Sequence, residues 1–120
     1  MSMSQQTGAV ILVVEDLFIF QYLDRLLTPH GYVVIRAGAR QAADALGSRE
    51  RGVDLLISNA PEDFIEFAES IPLVYLSSAP DASVAARFRA CRSVRKPFRT
   101  ETLLAAIEEL TAAAAAATAS

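Results

Sequence analysis

Apolar residues along this chain come in short β-branched runs separated by longer mixed stretches. Val10-Ile11-Leu12-Val13-Val14 is such a run, the pattern of a strand buried on both faces. Leu17 to Thr28 follows with helical spacing and is stopped by Pro29 and Gly31. Tyr32 to Arg36 reads as a second strand, Arg40 to Leu46 as a helix ending near Gly47, and Val53 to Ser58 as a third strand. Pro61 opens a short helix over Glu62 to Glu69, with acids in its first turn. Pro72 to Ser77 is a fourth strand, and Asp81 caps a helix running to Ala90. Ser93-Val94-Arg95 is a weak fifth strand, and Thr100 caps the last helix.

Repeated strand–helix alternation predicts an α/β fold: a single doubly wound, five-stranded parallel sheet with helices on both faces. Right-handed crossovers leave few topologies, and the flavodoxin-like order 2-1-3-4-5 is the natural one for five units. The crossover from Ala60 to Ile71 has little more than the dozen residues a parallel connection needs, so its helix is shortened. In this topology ligands sit beyond the carboxyl ends of the strands, near the first and third.

With 120 residues, 52% hydrophobic and 21% charged, the chain is the size of one globular domain with its own core. The expected division is a disordered lead-in over 1–8, the domain over 9–111, and an alanine-rich extension of the last helix or frayed tail over 112–120. A net charge of -3 gives no overall pull toward nucleic acid or anionic membrane. No apolar stretch reaches the roughly 18 residues of a membrane helix, and no signal peptide is evident. The single cysteine, Cys91, excludes an internal disulfide framework and fits the cytoplasm; it reads as an inert, at least half-buried thiol. His30, beside Pro29 and Gly31, reads as a local helix-end residue.

The strand ends carry the chemistry. Glu15 and Asp16 follow the first strand, Asn59 the third, Ser77 and Ser78 close the fourth, and Lys96-Pro97 follow the fifth. Two carboxylates and a third oxygen would suit Mg²⁺, while a hydroxyl and an ammonium would suit an anion such as a phosphoryl group. The plain alternative is that Glu15 and Asp16 only cap the first helix. Val13-Val14-Glu15-Asp16, Asp54 to Asn59, Pro72 to Ser77 and Lys96-Pro97-Phe98 together resemble the receiver domains of response regulators, the CheY-like family. The resemblance runs from about Val10 to Leu110. It implies a Mg²⁺ role for Glu15 and Asp16, a phosphoryl-contact role for Ser77 and Lys96, and a cis peptide before Pro97.

Three departures from that pattern stand out. Asn59 occupies the position of the phosphoacceptor aspartate, and an amide is a poor nucleophile for forming an acyl phosphate. Ser93 replaces the switching aromatic residue, and the third crossover is short. The resemblance with these departures implies a stand-alone pseudo-receiver, not an enzyme. It would act in two-component phosphorelay signalling through phosphorylation-independent protein–protein contacts. It requires no cofactor, and any Mg²⁺ at Glu15 and Asp16 is weakly held. The partner is a histidine kinase, a phosphotransfer protein or an output protein, with a homodimer as another use of the same faces. Candidate partner surfaces are Phe18 and Tyr22 on the first helix, and Arg87, Arg89, Arg92, Arg95 and Arg99 around the fourth helix and fifth strand. Two other readings stay open at this point. One is an active receiver using Asp63 or Ser58 as acceptor; the other is a small flavodoxin-like enzyme or cofactor binder, which lacks a Gly-rich phosphate loop after the first strand.

Overall fold

The computed structural model describes residues 8–48 and 52–119. Residues 1–7 of the expected lead-in, and Ser120, lie outside the described residues. The elements are β1 (Val10–Val14), α1 (Leu17–Leu27), β2 (Val33–Arg36), α2 (Ala39–Ser48), β3 (Leu55–Ser58), β4 (Leu73–Ser77), α3 (Ala82–Ala85), β5 (Cys91–Arg95) and α4 (Thr100–Ala119). All strands are parallel, in the order β2-β1-β3-β4-β5. This is the predicted doubly wound sheet.

The period of two along each central strand divides the core. Ile11, Val13, Leu55, Ile57, Val74 and Leu76 point to one face, against Leu23 and Leu27 of α1 and Leu103 and Ile107 of α4. Leu12, Leu56, Leu73 and Tyr75 point to the other, against Ala42, Phe64, Ala68 and Phe88. All four residues of β3 are buried, so the strand next to the candidate site is held from both faces. Each fully buried large aliphatic side chain removes apolar surface worth about 1.5–3 kcal/mol. α1 starts where Asp16 Oδ1 accepts the Ile19 N–H at 2.9 Å, a capping bond that also fixes the direction of chain after β1. It ends in a 3-10 turn over Thr28–His30, and Gly31 reverses the chain at φ 90°. Thr28 serves as the C-cap of α1, and His30 sits exposed within the turn.

Two segments differ from expectation. The short third helix is a 3-10 stretch, Pro61–Phe67, interrupted at Phe64, whose φ of -124° is not helical. Phe64 is fully buried, and turning that ring into the sheet breaks the helical path. The helix expected from Asp81 to Ala90 ends at Ala85. Beyond it Phe88 must reach the core, the Arg89 N–H donates to Ala68 O at 3.0 Å, and β5 begins at Cys91, opposite Leu73 of β4. Strand pairing and one buried aromatic ring therefore override the helical preference of the alanines. Gly47 does not end α2, which runs on to Ser48.

Candidate functional site

The parallel registers determine which side chains meet. Val14 pairs with Ser58, so the next residues on the two strands, Glu15 and Asn59, emerge side by side at the carboxyl edge. Ser77 pairs with Arg95, and the Lys96 N–H donates to Ser77 O at 2.9 Å, which carries the lysine past the end of β4 toward β1. The Lys96–Pro97 peptide is cis.

Three residues converge. Asn59 Nδ2 donates to Glu15 Oε1 at 3.3 Å, and Lys96 Nζ donates to the same oxygen at 3.4 Å. The second carboxylate oxygen, Oε2, lies 3.3 Å from Lys96 Nζ, within ion-pair distance, yet accepts no hydrogen bond from any described group. The Glu15 side chain has 0% exposure and that of Lys96 has 25%. Burial pushes the Glu15 carboxyl above its ordinary value. The Lys96 charge and hydrogen bond, and a backbone bond at Asp16, pull it down, and the Asp16 charge adds a smaller upward push. Desolvation outweighs the lysine, so this carboxylate is an incompletely compensated buried charge.

The side chains of the other candidate residues bond elsewhere or face solvent. Asp16 is exposed, and its Oδ1 is engaged in capping α1. Ser77 Oγ accepts the Ala79 N–H at 3.1 Å, and Ser58 Oγ, fully buried, accepts the Ala60 N–H at 3.0 Å. These short-range bonds tighten the turns after β4 and β3. Asp63 lies exposed in the 3-10 stretch. Ser93 is exposed on β5 opposite Tyr75.

Mg²⁺, which the resemblance implies, is a poor match for this donor set. Only Glu15 is directed into the cluster. Its carboxylate already faces an ammonium, and its other neighbour is a neutral amide that donates to it and adds no negative charge for a cation. Among the described residues no group of three or more His, Cys, Asp or Glu could hold a metal ion.

An aromatic patch borders the cluster. Phe18 is 82% exposed, and Leu17 and Tyr22 are also exposed. The Tyr22 ring lies 5.8 Å from that of Phe98, and its hydroxyl shares a hydrogen bond of 2.7 Å with Thr100 Oγ1. Helical spacing places Phe18 and Tyr22 one turn apart on the outer face of α1, while Ile19, Leu23, Leu26 and Leu27 pack toward the core. The bridge from Tyr22 to Phe98 and Thr100 was not legible, because it joins residues 78 apart in sequence. Arg87, Arg89, Arg92, Arg95 and Arg99 are all exposed, and Arg92 forms an ion pair with Glu109. Cys91 is half-buried, and burial raises its thiol above the ordinary value, against smaller downward pulls from a hydrogen bond with Ser93 and from Arg92.

A five-stranded parallel sheet of order 2-1-3-4-5 with helices on both faces is the CheY-like, flavodoxin-type fold. No protein-family model and no curated protein matches the sequence. Among solved structures, the chain is similar to the signal receiver domain of an HD domain-containing protein from Pseudomonas fluorescens Pf-5. The two share 26% identity over 92% of this chain and 91% of that one, with a TM-score of 0.73. It is also similar in fold to the chemotaxis response regulator CheY4 of Vibrio cholerae, at 24% identity over 87% of this chain and 99% of that one, TM-score 0.71. A response regulator receiver protein from Sinorhizobium medicae WSM419 shares 18% identity over 88% of this chain and 95% of that one, TM-score 0.71. No helix among the described residues is long and apolar enough to cross a membrane.

Proposed function

We infer that this chain is a pseudo-receiver of two-component signalling that works by protein–protein contact without aspartyl phosphorylation. The observation that carries this reading is the Asn59 amide donating to the buried Glu15 carboxylate, with Lys96 on the same group. An acyl phosphate requires a carboxylate nucleophile at the end of β3 and a cation to offset its charge. Here the position after β3 is an amide, and the charge opposite Glu15 comes from the lysine. Asn59 is on this reading the degenerate acceptor position, Glu15 and Asp16 the remnant acid pair, Ser77, Lys96 and Pro97 the remnant phosphoryl-contact positions, and Ser93 the substituted switch position.

Phe18 and Tyr22, beside the cluster, supply the contact face for a histidine kinase or phosphotransfer partner in the cytoplasm. The alternative acceptors have less in their favour. Ser58 is buried with its hydroxyl engaged, and Asp63 stands on a separate exposed stretch.

The test is intact mass after incubation with Mg²⁺ and a small-molecule phosphodonor, run on the parent and on Asn59→Asp. The expected result is no adduct on the parent and a phosphoryl adduct on the variant. An adduct on the parent overturns the reading, and mapping it would distinguish Asp63 from Ser58.

A further inference from the structure

β5 is an edge strand whose outer side is open. The Leu73 N–H donates to Ala90 O, and the Lys96 N–H donates to Ser77 O. In a parallel ladder this phase turns the backbone groups of Arg92 and Val94 toward β4 and those of Cys91, Ser93 and Arg95 outward. Ser93 and Arg95 are exposed. Cys91 O is already taken by Arg92 Nη1 at 3.1 Å, which leaves the Ser93 and Arg95 peptide groups and the Cys91 N–H.

A groove of about 540 Å³ runs along this edge, from Ala82 and Ala85 of α3, across Cys91 and Ser93, to Glu109 and Leu110 of α4. It exists because α3 stops at Ala85 and the chain returns through a turn. Its surroundings are basic: Arg87, Arg89, Arg92 and Arg95 are exposed in a chain whose net charge is -3. Among the described residues, Arg87, Arg89 and Arg95 have no acidic ion-pair partner, while Arg92 has Glu109. Arg95 Nε donates to Ser78 O at 3.3 Å, which anchors its exposed guanidinium at the carboxyl ends of β4 and β5. The nearby Asp81 carboxylate is occupied by the Ser83 N–H and hydroxyl.

We propose that the open edge of β5 accepts an extended acidic segment of a partner protein as an added strand. The Ser93 and Arg95 peptide groups bond its backbone, and Arg89, Arg92 and Arg95 read its carboxylates. Strand addition draws affinity from main-chain bonds and specificity from alternate side chains. Arg92 lies on the α4 side of the strand and Arg95, three residues on, lies on the α3 side, so acids three positions apart on the added strand face opposite sides and each meet a guanidinium. A second copy is the wrong occupant, because it brings the same arginines to the junction, and like charges at an edge oppose pairing.

The experiment is fluorescence anisotropy with a labelled valine- and threonine-rich peptide carrying glutamates three positions apart, so that they fall on opposite faces of the strand, against the same peptide with lysine for glutamate. Amide hydrogen exchange on the full chain is followed in parallel. The glutamate peptide binds, weakens with added salt, and protects the Ser93 and Arg95 amides; the lysine peptide does not bind. Arg89→Glu with Arg95→Glu weakens binding by about tenfold or more, roughly 1.4 kcal/mol. Ser93→Pro removes the outward N–H, which an edge strand tolerates, together with the hydroxyl that bonds Cys91, and weakens binding comparably. Should Ser93→Pro fail to fold by circular dichroism, the exchange data on the parent decide. No binding of the glutamate peptide, or equal binding of both peptides, overturns the proposal. So does binding that leaves the Ser93 and Arg95 amides unprotected. None of these outcomes bears on phosphorylation at Asn59.

Discussion

Lys96 Nζ lies 3.3 Å from Glu15 Oε2, joining the end of β5 to the end of β1 across the sheet edge. The lysine is partly exposed and the glutamate side chain fully buried, so the two partners are not equivalent. Removing the lysine strands a buried charge; removing the glutamate releases an ammonium into water. Lys96→Met should therefore destabilise the fold by roughly 1–3 kcal/mol, less than a fully buried pair would cost. Glu15→Gln should cost less, and the double variant should recover much of the loss. Urea unfolding of the three variants checks this, and a larger loss in Glu15→Gln than in Lys96→Met would refute it.

The Glu15 carboxyl titrates above its ordinary value of 4.5, chiefly through burial. A carboxyl raised on folding binds its proton more tightly in the native state. Its contribution is then fully present below the unfolded value and is lost as pH rises through the folded value. Relative to Glu15→Gln, the parent should lose stability as pH climbs from about 4 toward neutrality. Parallel unfolding curves for the two proteins across that window provide the check. A parent that gains on the variant with rising pH would show that Lys96 outweighs desolvation.

Asn59→Asp places a second carboxylate where an amide now donates to Glu15 at 3.3 Å. The lost hydrogen bond and the like-charge contact should lower stability by about 1–2 kcal/mol without divalent cations. The variant then has two acids facing each other, a better pair of oxygen ligands for Mg²⁺. Its melting temperature should rise with millimolar MgCl₂, while that of the parent moves little. An equal Mg²⁺ response in both proteins would mean that the amide is not what limits the site.

Phe18 and Phe64 make a controlled contrast, one 82% exposed and the other 0%. Phe18→Ser should leave stability within about 0.5 kcal/mol of the parent, whereas Phe64→Ala should cost about 3–5 kcal/mol. If Phe18 serves a partner face, pull-down with a cognate kinase or phosphotransfer domain should fail for Phe18→Ser even though that variant is fully folded. A marked loss of stability in Phe18→Ser would instead assign the ring a packing role.

Tyr22→Phe removes the hydroxyl that bonds Thr100 Oγ1 and keeps the ring against Phe98. Its expected cost is about 0.5–1.5 kcal/mol, since the bond is exposed and water replaces it in part. Phe98→Ala should cost more than Tyr22→Phe, because it removes the ring contact that closes α1 onto the loop after β5. Thermal melts of the two variants check the order, and the reverse order would make the hydroxyl the main link.

Local pattern alone determined the strands, their alternation with helical segments and the sheet topology. Runs such as Val10 to Val14 and Leu55 to Ser58 are apolar at consecutive positions because both faces are buried, and alternation with helical stretches leaves few parallel arrangements. The residues just after the strands were equally legible, since topology alone brings the ends of β1, β3 and β5 to one edge. What only the tertiary structure decided was their pairing and state. Asp16 turned to cap α1 while Glu15 turned inward, although both are acids in the same turn. The burial of Phe64 and Phe88 broke two expected helices, because filling the core outweighs local helix preference. The open groove along β5 follows from that second break, and no feature of the arginine pattern alone predicts it.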